Sequence, residues 1–510
     1  MLLSWSFAFR SVGFALSRSG SRSFHPAASK TTGVELAGQP THQTHPHLIA
    51  EDEVVAGISL REIRRKRESL VSVLPPGSVA IFSAADAQNL AHDIHYRYRQ
   101  DPSFLYLTGC QEPEAHLVLE KPQAKSSDPA DEDDDPSFSE PGAGGFPVRG
   151  YRSRVYVRPR DPKKELWDGP ISGPERARWM FGADAAYPNT QLGLHLPHLL
   201  QKAQHVYLPS NSPLLGTISS LCSELGLTDY VQIHKVTSTL DMQRVFKTKR
   251  ELSLMQASAK VTAAGFDALF RKTKPGMMEY QLYAQFEYDA KSRGAQRLAY
   301  PPVIASGSNA NILHYVSYDM PLTDGDLVLV DAGSEYAGYC SDVTRTFPVN
   351  GKFSPAQKAL YEHVLRVQQK CISLATANSG NTLNRLQKIA VVGLVEALVD
   401  LGIIRESVES ALENQSWTPY YPHNIGHYLG MDTHDTPSVS TMSSLRPGMV
   451  ITVEPGLYIP DLPHIPEEFR GIGIRIEDDV YIDEVSNIVL TAAIPKTVSE
   501  LEAIIGSEAT

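Results

Sequence analysis

The sequence predicts an α/β protein with two domains behind a leader segment. Along residues 50–240, apolar β-branched runs of strand length alternate with amphipathic helical patterns. Between residues 250 and 490, four longer helical patterns alternate with strand-rich segments. The 510 residues are 42% hydrophobic, so each domain can bury a core of its own. We therefore expect a first domain over residues 51–240 and a second over residues 241–505.

The leader differs in composition from the rest of the chain. Over residues 1–31 all charges are basic and serine is frequent, as is typical of a mitochondrial transit peptide. The basic residues are Arg10, Arg18, Arg22 and Lys30. A secretory signal is the alternative, but its basic residues would precede the apolar stretch rather than follow it. We expect import into mitochondria, with the matrix as destination, and a linker over residues 32–50. A cytosolic form that lacks the leader stays open.

Composition excludes several classes of function. A net charge of −11 argues against sequence-independent nucleic-acid binding, which needs a basic surface. No run of about 18 apolar residues appears, so we expect no membrane insertion. The cysteines form no C-x-x-C pair, which suits reduced thiols in an intracellular compartment. They are Cys110, Cys222, Cys340 and Cys371.

In the first domain, hydrophobic periodicity places strands and helices in alternation. The predicted elements are helices at 60–74 and 173–180 and strands at 79–85, 116–119 and 152–160. Residues 121–150 separate two of these strands and contain the acidic run DEDDD with several prolines and glycines. This composition predicts a disordered surface insert. A calcium loop is the alternative, but the glycine-spaced ligands of such a loop are absent.

The second domain is predicted to hold two pairs of helices. The predicted helices span residues 252–270, 279–293, 355–374 and 382–401. Ser354 followed by Pro355 is a helix start, because serine caps the first turn and proline fits its first position. The alternation of helix pairs and strands hints at an internal duplication. We expect the helices to cover one face of a sheet and leave the other for chemistry.

A predicted β-hairpin over residues 326–346 carries two acids, Asp331 and Asp342. If the hairpin turns near residues 336–337, these acids face each other, with Cβ atoms roughly 4.5–5.5 Å apart. Two carboxylates that close repel each other unless a cation lies between them. The alternative is that one Asp caps the turn and the other is solvated.

Further metal-ligand candidates follow in the chain. Glu454 and Glu477 lie in apolar strands, where an unpaired carboxylate would be costly. Between the hairpin and these glutamates lies PHNIGHYLGMDTHD, with His427 among its histidines. Its i, i+4 histidine pair resembles a zinc-protease helix, but Asn424 replaces the required glutamate. One histidine with four carboxylates suits Mn²⁺ or another hard divalent ion. Two ions would balance that much negative charge.

These motifs together resemble the pita-bread metallopeptidases, and among them the aminopeptidase P (Xaa-Pro aminopeptidase) family. The segments that carry the resemblance are LVDAGSEYAGYCSDVTRTFPV, HNIGHYLGMDTHD, VEPGLYI and GIRIEDD, with RYRQDPSFLYLTG and RDPKKELWDGPISG in the first domain. The resemblance covers about residues 50–505. It implies a creatinase-like N-terminal α/β domain followed by a pita-bread catalytic domain. The acidic insert and the leader are the main departures.

The resemblance implies a centre with two divalent metal ions. One ion is bound by Asp331 and Asp342, and the second by Asp342, His427 and Glu454, with Glu477 bridging alongside Asp342. It also implies that Glu454 takes a proton from the attacking water and passes it to the leaving nitrogen.

The same resemblance implies roles for residues around the centre. His314 would contact the scissile peptide, and His434 would steady the tetrahedral intermediate. Tyr300 and His423 would line the substrate pocket, and Arg475 would support the carboxylates. The substrate would be a peptide or protein N-terminus with proline second, and the enzyme would form a homodimer. A mitochondrial branch of this family is associated with trimming imported proteins.

Other functions on the same fold are alternatives. Prolidase, which cuts dipeptides, is hard to separate by motif. Retention of all five ligands disfavours creatinase, and the first domain disfavours methionine aminopeptidase. A binding or signalling protein that kept the fold is a further alternative, since fold does not fix function. Such a protein is disfavoured because no ligand is lost.

Overall fold

The structure is a computed structural model that describes residues 36–123, 150–377 and 380–507. The predicted leader and most of the predicted acidic insert lie outside the described residues. The domain boundaries expected from the sequence stay predictions. Residues 36–50, from the predicted linker, form turns, and the Gln39 amide donates hydrogen bonds to the carbonyls of Val54 and Gly109.

The described residues form 13 α-helices, numbered in chain order. They are α1 Leu60–Val73, α2 Pro102–Thr108, α3 Pro162–Asp168, α4 Gly173–Met180, α5 Leu192–Lys202, α6 Leu215–Glu224, α7 Thr237–Arg244, α8 Lys249–Lys272, α9 Glu279–Ser292, α10 Pro355–Leu374, α11 Leu383–Asp400, α12 Val408–Glu413 and α13 Val498–Ile504.

The same residues form 21 β-strands. They are β1 Glu53–Val55, β2 Ile58–Ser59, β3 Ser78–Ser83, β4 Asn89–Ala91, β5 Ile94–His95, β6 His116–Lys121, β7 Arg152–Val157, β8 Ala185–Pro188, β9 His205–Leu208, β10 Gln232–Lys235, β11 Arg297–Leu298, β12 Val303–Ser306, β13 Leu327–Asp331, β14 Ser334–Tyr336, β15 Tyr339–Cys340, β16 Thr344–Pro348, β17 Val450–Val453, β18 Gly456–Tyr458, β19 Gly473–Arg475, β20 Asp478–Ile482 and β21 Asn487–Val489.

The N-terminal half is built on a mixed six-stranded sheet in the order β10-β9-β3-β6-β7-β8. Both of its faces are covered, because successive residues of β3 enter different cores. Ala80 and Phe82 pack in the core that includes residues of α1 and α2, whereas Val79 and Ile81 pack with residues of α5 and α6. Burial on both faces explains why β3 is a continuous apolar run. The predicted α/β class is confirmed.

Of the long helices of the C-terminal half, α9 and α10 begin at the predicted residues, whereas α8 begins at Lys249 instead of residue 252 and α11 at Leu383 instead of residue 382. Thr248 and Glu251 form a capping box at the start of α8, and Ser354 and Gln357 form one at the start of α10. Helices α8 to α11 pack in one core with Val328 and Val330 of β13, while Leu329 points to the opposite side. The helices therefore cover one face of the β12-β13-β16 sheet, as expected.

The two acid-bearing β-hairpins are each interrupted at the acids. The first pairs β13 with β16 and, nearer its turn, β14 with β15. The second pairs β17 with β20 and β18 with β19. Each of the two continuous strands expected over residues 451–459 and 471–482 is thus two shorter strands. Candidate ligands occupy the interruptions.

Two further sequence predictions can be compared with the structure. All four cysteines are buried and form no disulfide. Among the residues that the structure describes, no helix combines the length and apolar character that crossing a bilayer requires.

Candidate metal centre

The first hairpin brings Asp331 and Asp342 together, but not in the predicted register. Asp331 lies opposite Thr344, and the tip consists of Ala337 and Gly338, one residue later than expected. Moving the tip by one residue moves the pairing by two, and a shift of two keeps a side chain on the same face. The two carboxylates therefore still converge, offset along the hairpin.

A tyrosine and a glycine fix this convergence. The hydroxyl of Tyr300 hydrogen-bonds to Oδ1 of both Asp331 and Asp342. At Gly333 an added Cβ would lie 1.8 Å from the backbone oxygen of Ser341, so only glycine allows the two arms to approach here. The interruption beside Asp342 thus depends on a residue without a side chain.

In the second hairpin, Glu454 and Glu477 lie between the paired strands, and their backbone N–H groups do not bond across the hairpin. The N–H of Glu454 donates to the carbonyl of Ile425 at 2.8 Å, and the N–H of Glu477 donates to that of Thr344 at 3.0 Å. The two glutamates therefore bond to chain segments outside their own hairpin. This directs them toward the first hairpin and the histidine segment.

His427 joins the two hairpins. Its Nε2 lies 3.4 Å from Oδ2 of Asp342 and 3.6 Å from Oε1 of Glu454. Its Nδ1 lies 3.1 Å from the carbonyl of Tyr428, which fixes the ring and leaves Nε2 facing the acids. Donor atoms of Asp342, His427 and Glu477 all lie within 4.8 Å of one another, so these three residues could hold a metal ion.

We call Asp331, Asp342, Glu454 and Glu477 the carboxylate centre. Arg475 is the guanidinium that contacts it, with Nη2 2.6 Å from Oδ2 of Asp331. Burial is the main cause that raises the pKa of Asp331 and Glu477, and neighbouring carboxylates add to the shift. Burial likewise raises the pKa of Glu454 to about 7, against the charges of His427 and Arg475.

The pKa of His427 also reflects the surplus of negative charge in the carboxylate centre. Burial alone would lower the pKa of His427, but the hydrogen bond to Asp342 and the charge of Glu454 raise it to about 9. An oxygen-rich set with a single imidazole is the donor chemistry that hard divalent ions prefer. The side chains present therefore fit a divalent metal centre.

The other predicted histidines lie around this centre. The rings of His434 and His427 are 4.4 Å apart and nearly perpendicular. His423 hydrogen-bonds through Nε2 to the Tyr458 hydroxyl at 2.8 Å, and its Nδ1 is 3.8 Å from Glu454. Burial, followed by the charges of Arg475 and His314, lowers the pKa of His423 to about 4. His314 is exposed, and its charge also lowers the pKa of His434, after burial and His427.

Three residues of the site were missed by sequence reasoning. The Thr344 hydroxyl donates to Oε2 of Glu477 at 2.7 Å, and Arg475 Nη1 donates to the Tyr458 hydroxyl at 2.7 Å. The backbone N–H of Asp342 lies 3.2 Å from both carboxylate oxygens of Asp479. Thr344 stands two positions after Asp342 and Asp479 two after Glu477, and this same-face spacing could have identified both.

Comparisons with known proteins show which family the chain resembles. Residues 253–484 match the model of metallopeptidase family M24, and residues 63–207 match that of the aminopeptidase P N-terminal domain. Xaa-Pro aminopeptidase 3 of Rattus norvegicus is 37% identical over 495 residues, covering 94% of this chain and 93% of the relative. The mitochondrial intermediate cleaving peptidase 55 of Arabidopsis thaliana is 36% identical over 482 residues, covering 94% and 90%. The structure of Escherichia coli aminopeptidase P with the inhibitor Pro-Leu matches with a TM-score of 0.79 and 33% identity, covering 89% of this chain and 99% of that chain.

Proposed function

The chain belongs to metallopeptidase family M24, and from this premise we propose that it is a metal-dependent aminopeptidase that releases the N-terminal residue from peptides with proline in second position. Its fold is the pita-bread fold of aminopeptidase P, with the N-terminal domain of that family in front. The observation that carries the proposal is the carboxylate centre, in which four buried or half-buried acids converge beside three histidines.

The centre would hold two divalent ions, most readily Mn²⁺. The ligands would be those expected from the sequence, namely Asp331, Asp342, His427, Glu454 and Glu477. Support comes from the shared hydrogen bonds of Asp331 and Asp342 and from the convergence of Asp342, His427 and Glu477. When bound, such ions lower the pKa of water and polarise a carbonyl oxygen.

Glu454 is the residue that we assign to proton transfer. Its side chain is 18% exposed, and its Oε1 accepts a 3.4 Å hydrogen bond from the Thr452 hydroxyl. From there its carboxylate can take a proton from the attacking water and return it to the leaving nitrogen. Arg475 and Tyr300 keep the neighbouring carboxylates oriented and leave Glu454 free to exchange its proton.

The histidines suit a substrate with proline second. An Xaa-Pro amide has no N–H, so a pocket cannot recognise it through that donor and must read the rigid ring by shape. His423 and His434 have lowered pKa values and present neutral rings, while His314 is exposed and its charge acts on both of them. We assign His314 to the scissile peptide, His423 and Tyr300 to the pocket, and His434 to the tetrahedral intermediate.

The cellular setting follows from the relatives and the leader. One relative is named as a mitochondrial intermediate cleaving peptidase, and the basic leader has the composition of a transit peptide. We propose that the protein acts as a homodimer in mitochondria, in the matrix, and trims the N-termini of imported proteins. Fractionation that finds the leader-bearing protein only outside mitochondria would contradict this location.

The test of the activity is hydrolysis of a matched peptide pair, Xaa-Pro-Pro and Xaa-Ala-Pro, with added Mn²⁺. Release of the first residue mainly from the proline-second peptide, abolished in Asp342→Ala, is the expected result. The dipeptide Xaa-Pro is the control for prolidase, which would cut it in preference to the tripeptide. A folded, metal-loaded protein that cuts none of the three would favour the binding-protein alternative.

A further inference from the structure

Residues 428–438, which we call the His434 loop, are held in place by buried ion pairs of Asp435. The Asp435 side chain is buried, with Oδ1 2.6 Å from Arg244 Nη2 and Oδ2 3.2 Å from Lys247 Nζ. An added Cβ on Gly430 would lie 2.2 Å from the same carboxylate. The loop therefore folds back on itself around Asp435, and Gly430 leaves the room for it. We call Asp435, Arg244 and Lys247 the Asp435 cluster.

The N-terminal half holds the first part of the same loop. Arg99 donates through Nη2 to the Met431 carbonyl at 2.7 Å and also pairs with Asp432. Arg244 adds a hydrogen bond to the Ser103 hydroxyl, so it connects the loop to α2. Contacts from outside the two hairpins thus fix the loop on both sides of Thr433 and His434.

The loop carries backbone strain directly after the Asp435 cluster. Thr436 has a φ of +48°, a left-handed conformation that a β-branched residue rarely adopts. Its side chain is buried, and its hydroxyl has no hydrogen-bond partner among the residues that the structure describes. Such a conformation persists only where the surroundings over-determine it, and such residues cluster at functional sites. The anchored carboxylate of the preceding residue supplies that constraint.

These contacts lie beside His434 but do not touch the carboxylate centre. His434 is exposed and packs edge-on against the His427 ring, one residue before the anchored Asp435. We propose that Arg244, Lys247 and Asp435 are positioning residues that hold His434 against the metal centre, so that elements outside the two hairpins set the turnover rate. The proposal rests on the proposed function and extends it.

The test combines two variants with removal of His434 itself. Gly430→Ala displaces the Asp435 carboxylate and keeps every charge, and Arg244→Gln removes one anchor. Each variant is expected to lower kcat by about 10- to 100-fold with KM within about twofold, as misplacement of a catalytic group does. In the His434→Ala background, each should lower kcat less than about twofold further, because residues acting through His434 are not additive with it. An equal fall in both backgrounds would overturn the proposal.

Lys66→Met is the matched control. Lys66 pairs with Glu251 at 3.0 Å, is as deeply buried, and also joins the N-terminal half to α8. Its ion-pair and ring partners within the described part of the chain are Glu62, Glu251 and Tyr106, none of which belongs to the His434 loop. Its loss should lower the unfolding temperature and leave kcat within about twofold of the wild type. A fall in kcat equal to that of Arg244→Gln would mean that loss of any buried ion pair between the N-terminal half and the catalytic half lowers kcat, and that the effect is not specific to the Asp435 cluster.

A second readout does not depend on activity. In the Zn²⁺-loaded protein with ¹³C-labelled histidine, the ring signal of His434, assigned with His434→Ala, should shift in Gly430→Ala and stay in place in Lys66→Met. An unshifted signal in Gly430→Ala would overturn the positioning role. Failure of the wild type to cut any Xaa-Pro peptide would overturn the proposed function instead, and the ring signal would still decide the positioning.

Discussion

Two buried regions that contain carboxylates lie close together in this protein and differ in the ratio of acids to bases. In the Asp435 cluster, one buried carboxylate is matched by two basic side chains, Arg244 and Lys247. In the carboxylate centre, the positively charged groups that pair with the four acids, within the described ranges, are the guanidinium of Arg475 and the imidazole of His427. Burial of acids is common to both regions. The shortage of bases is what marks the second one as a place for cations.

The largest expected effect is loss of the carboxylate in the Asp435 cluster, where bases outnumber acids. Asp435→Asn leaves two buried cations facing an uncharged amide, which should cost about 3–5 kcal/mol in the free energy of unfolding. Urea unfolding with and without Mn²⁺ would measure it, and the cost should be the same in both conditions. Asp432→Asn is the control, because Asp432 is 38% exposed and its pairs should contribute about 1 kcal/mol or less. A cost near zero for Asp435→Asn would mean that Arg244 and Lys247 do not depend on the Asp435 charge.

The carboxylate centre, where acids outnumber bases, should make the stability of the metal-free protein fall as the pH rises. The pKa of Glu454 is about 7 in the fold against 4.5 for an ordinary glutamate. The folded state therefore keeps a proton that the unfolded chain loses, and stability falls as the pH rises from about 4.5 to about 7. The loss should be about 3 kcal/mol, measured as urea midpoints in the presence of a chelator. Glu454→Gln should flatten the profile, and an unchanged slope in that variant would contradict the assignment.

Added metal ions should stabilise the folded protein by binding at the carboxylate centre alone. A divalent ion at about 100 times its Kd adds about 2.7 kcal/mol to the free energy of unfolding when it binds only the folded state. Mn²⁺ titrations followed by thermal unfolding should show this gain in the wild type and in Asp432→Asn, and no gain in Asp342→Ala. A full gain in Asp342→Ala would place the ion elsewhere.

The smallest effect has the opposite sign to the first. In the metal-free protein, Asp342→Asn removes one surplus charge while its amide oxygen can still accept the Tyr300 hydrogen bond. We expect a gain of about 1 kcal/mol in the free energy of unfolding, because one like-charge repulsion among the carboxylates is removed. The same Asp-to-Asn change would then stabilise one region and destabilise the other. If metal-free Asp342→Asn unfolds at lower urea than the wild type, the contrast between the regions fails.

The long helices could be predicted because their signals are local. Thr248 with Glu251, and Ser354 with Pro355 and Gln357, fall within one helical turn of each other, and the apolar positions behind them recur with the helical period. The strands of the second hairpin were predicted as continuous because the apolar pattern runs through Glu454. Their interruption depends on the carbonyls of Ile425 and Thr344, which are remote in sequence.

The structure places the candidate ligands near one another, but their surroundings could not be read from the sequence. The tip of the first hairpin differs by one residue from the prediction, since a two-residue change in pairing leaves the alternation of faces unaltered. Tyr458 and the Asp435 cluster bind partners far away in the chain, so no spacing rule reveals them. Physical pairing of distant groups was the missing information.

The spread of the candidate ligands over two hairpins bears on the order of events during folding. The candidate metal ligands that converge in space come from positions 331 to 477. Several long segments of chain must therefore be brought together before the two hairpins face each other. Such non-local contacts form late and slow the folding of a domain. A cation therefore has no preformed cage to nucleate around. Metal binding would therefore follow folding. Only completely folded chains would bind the metal ions.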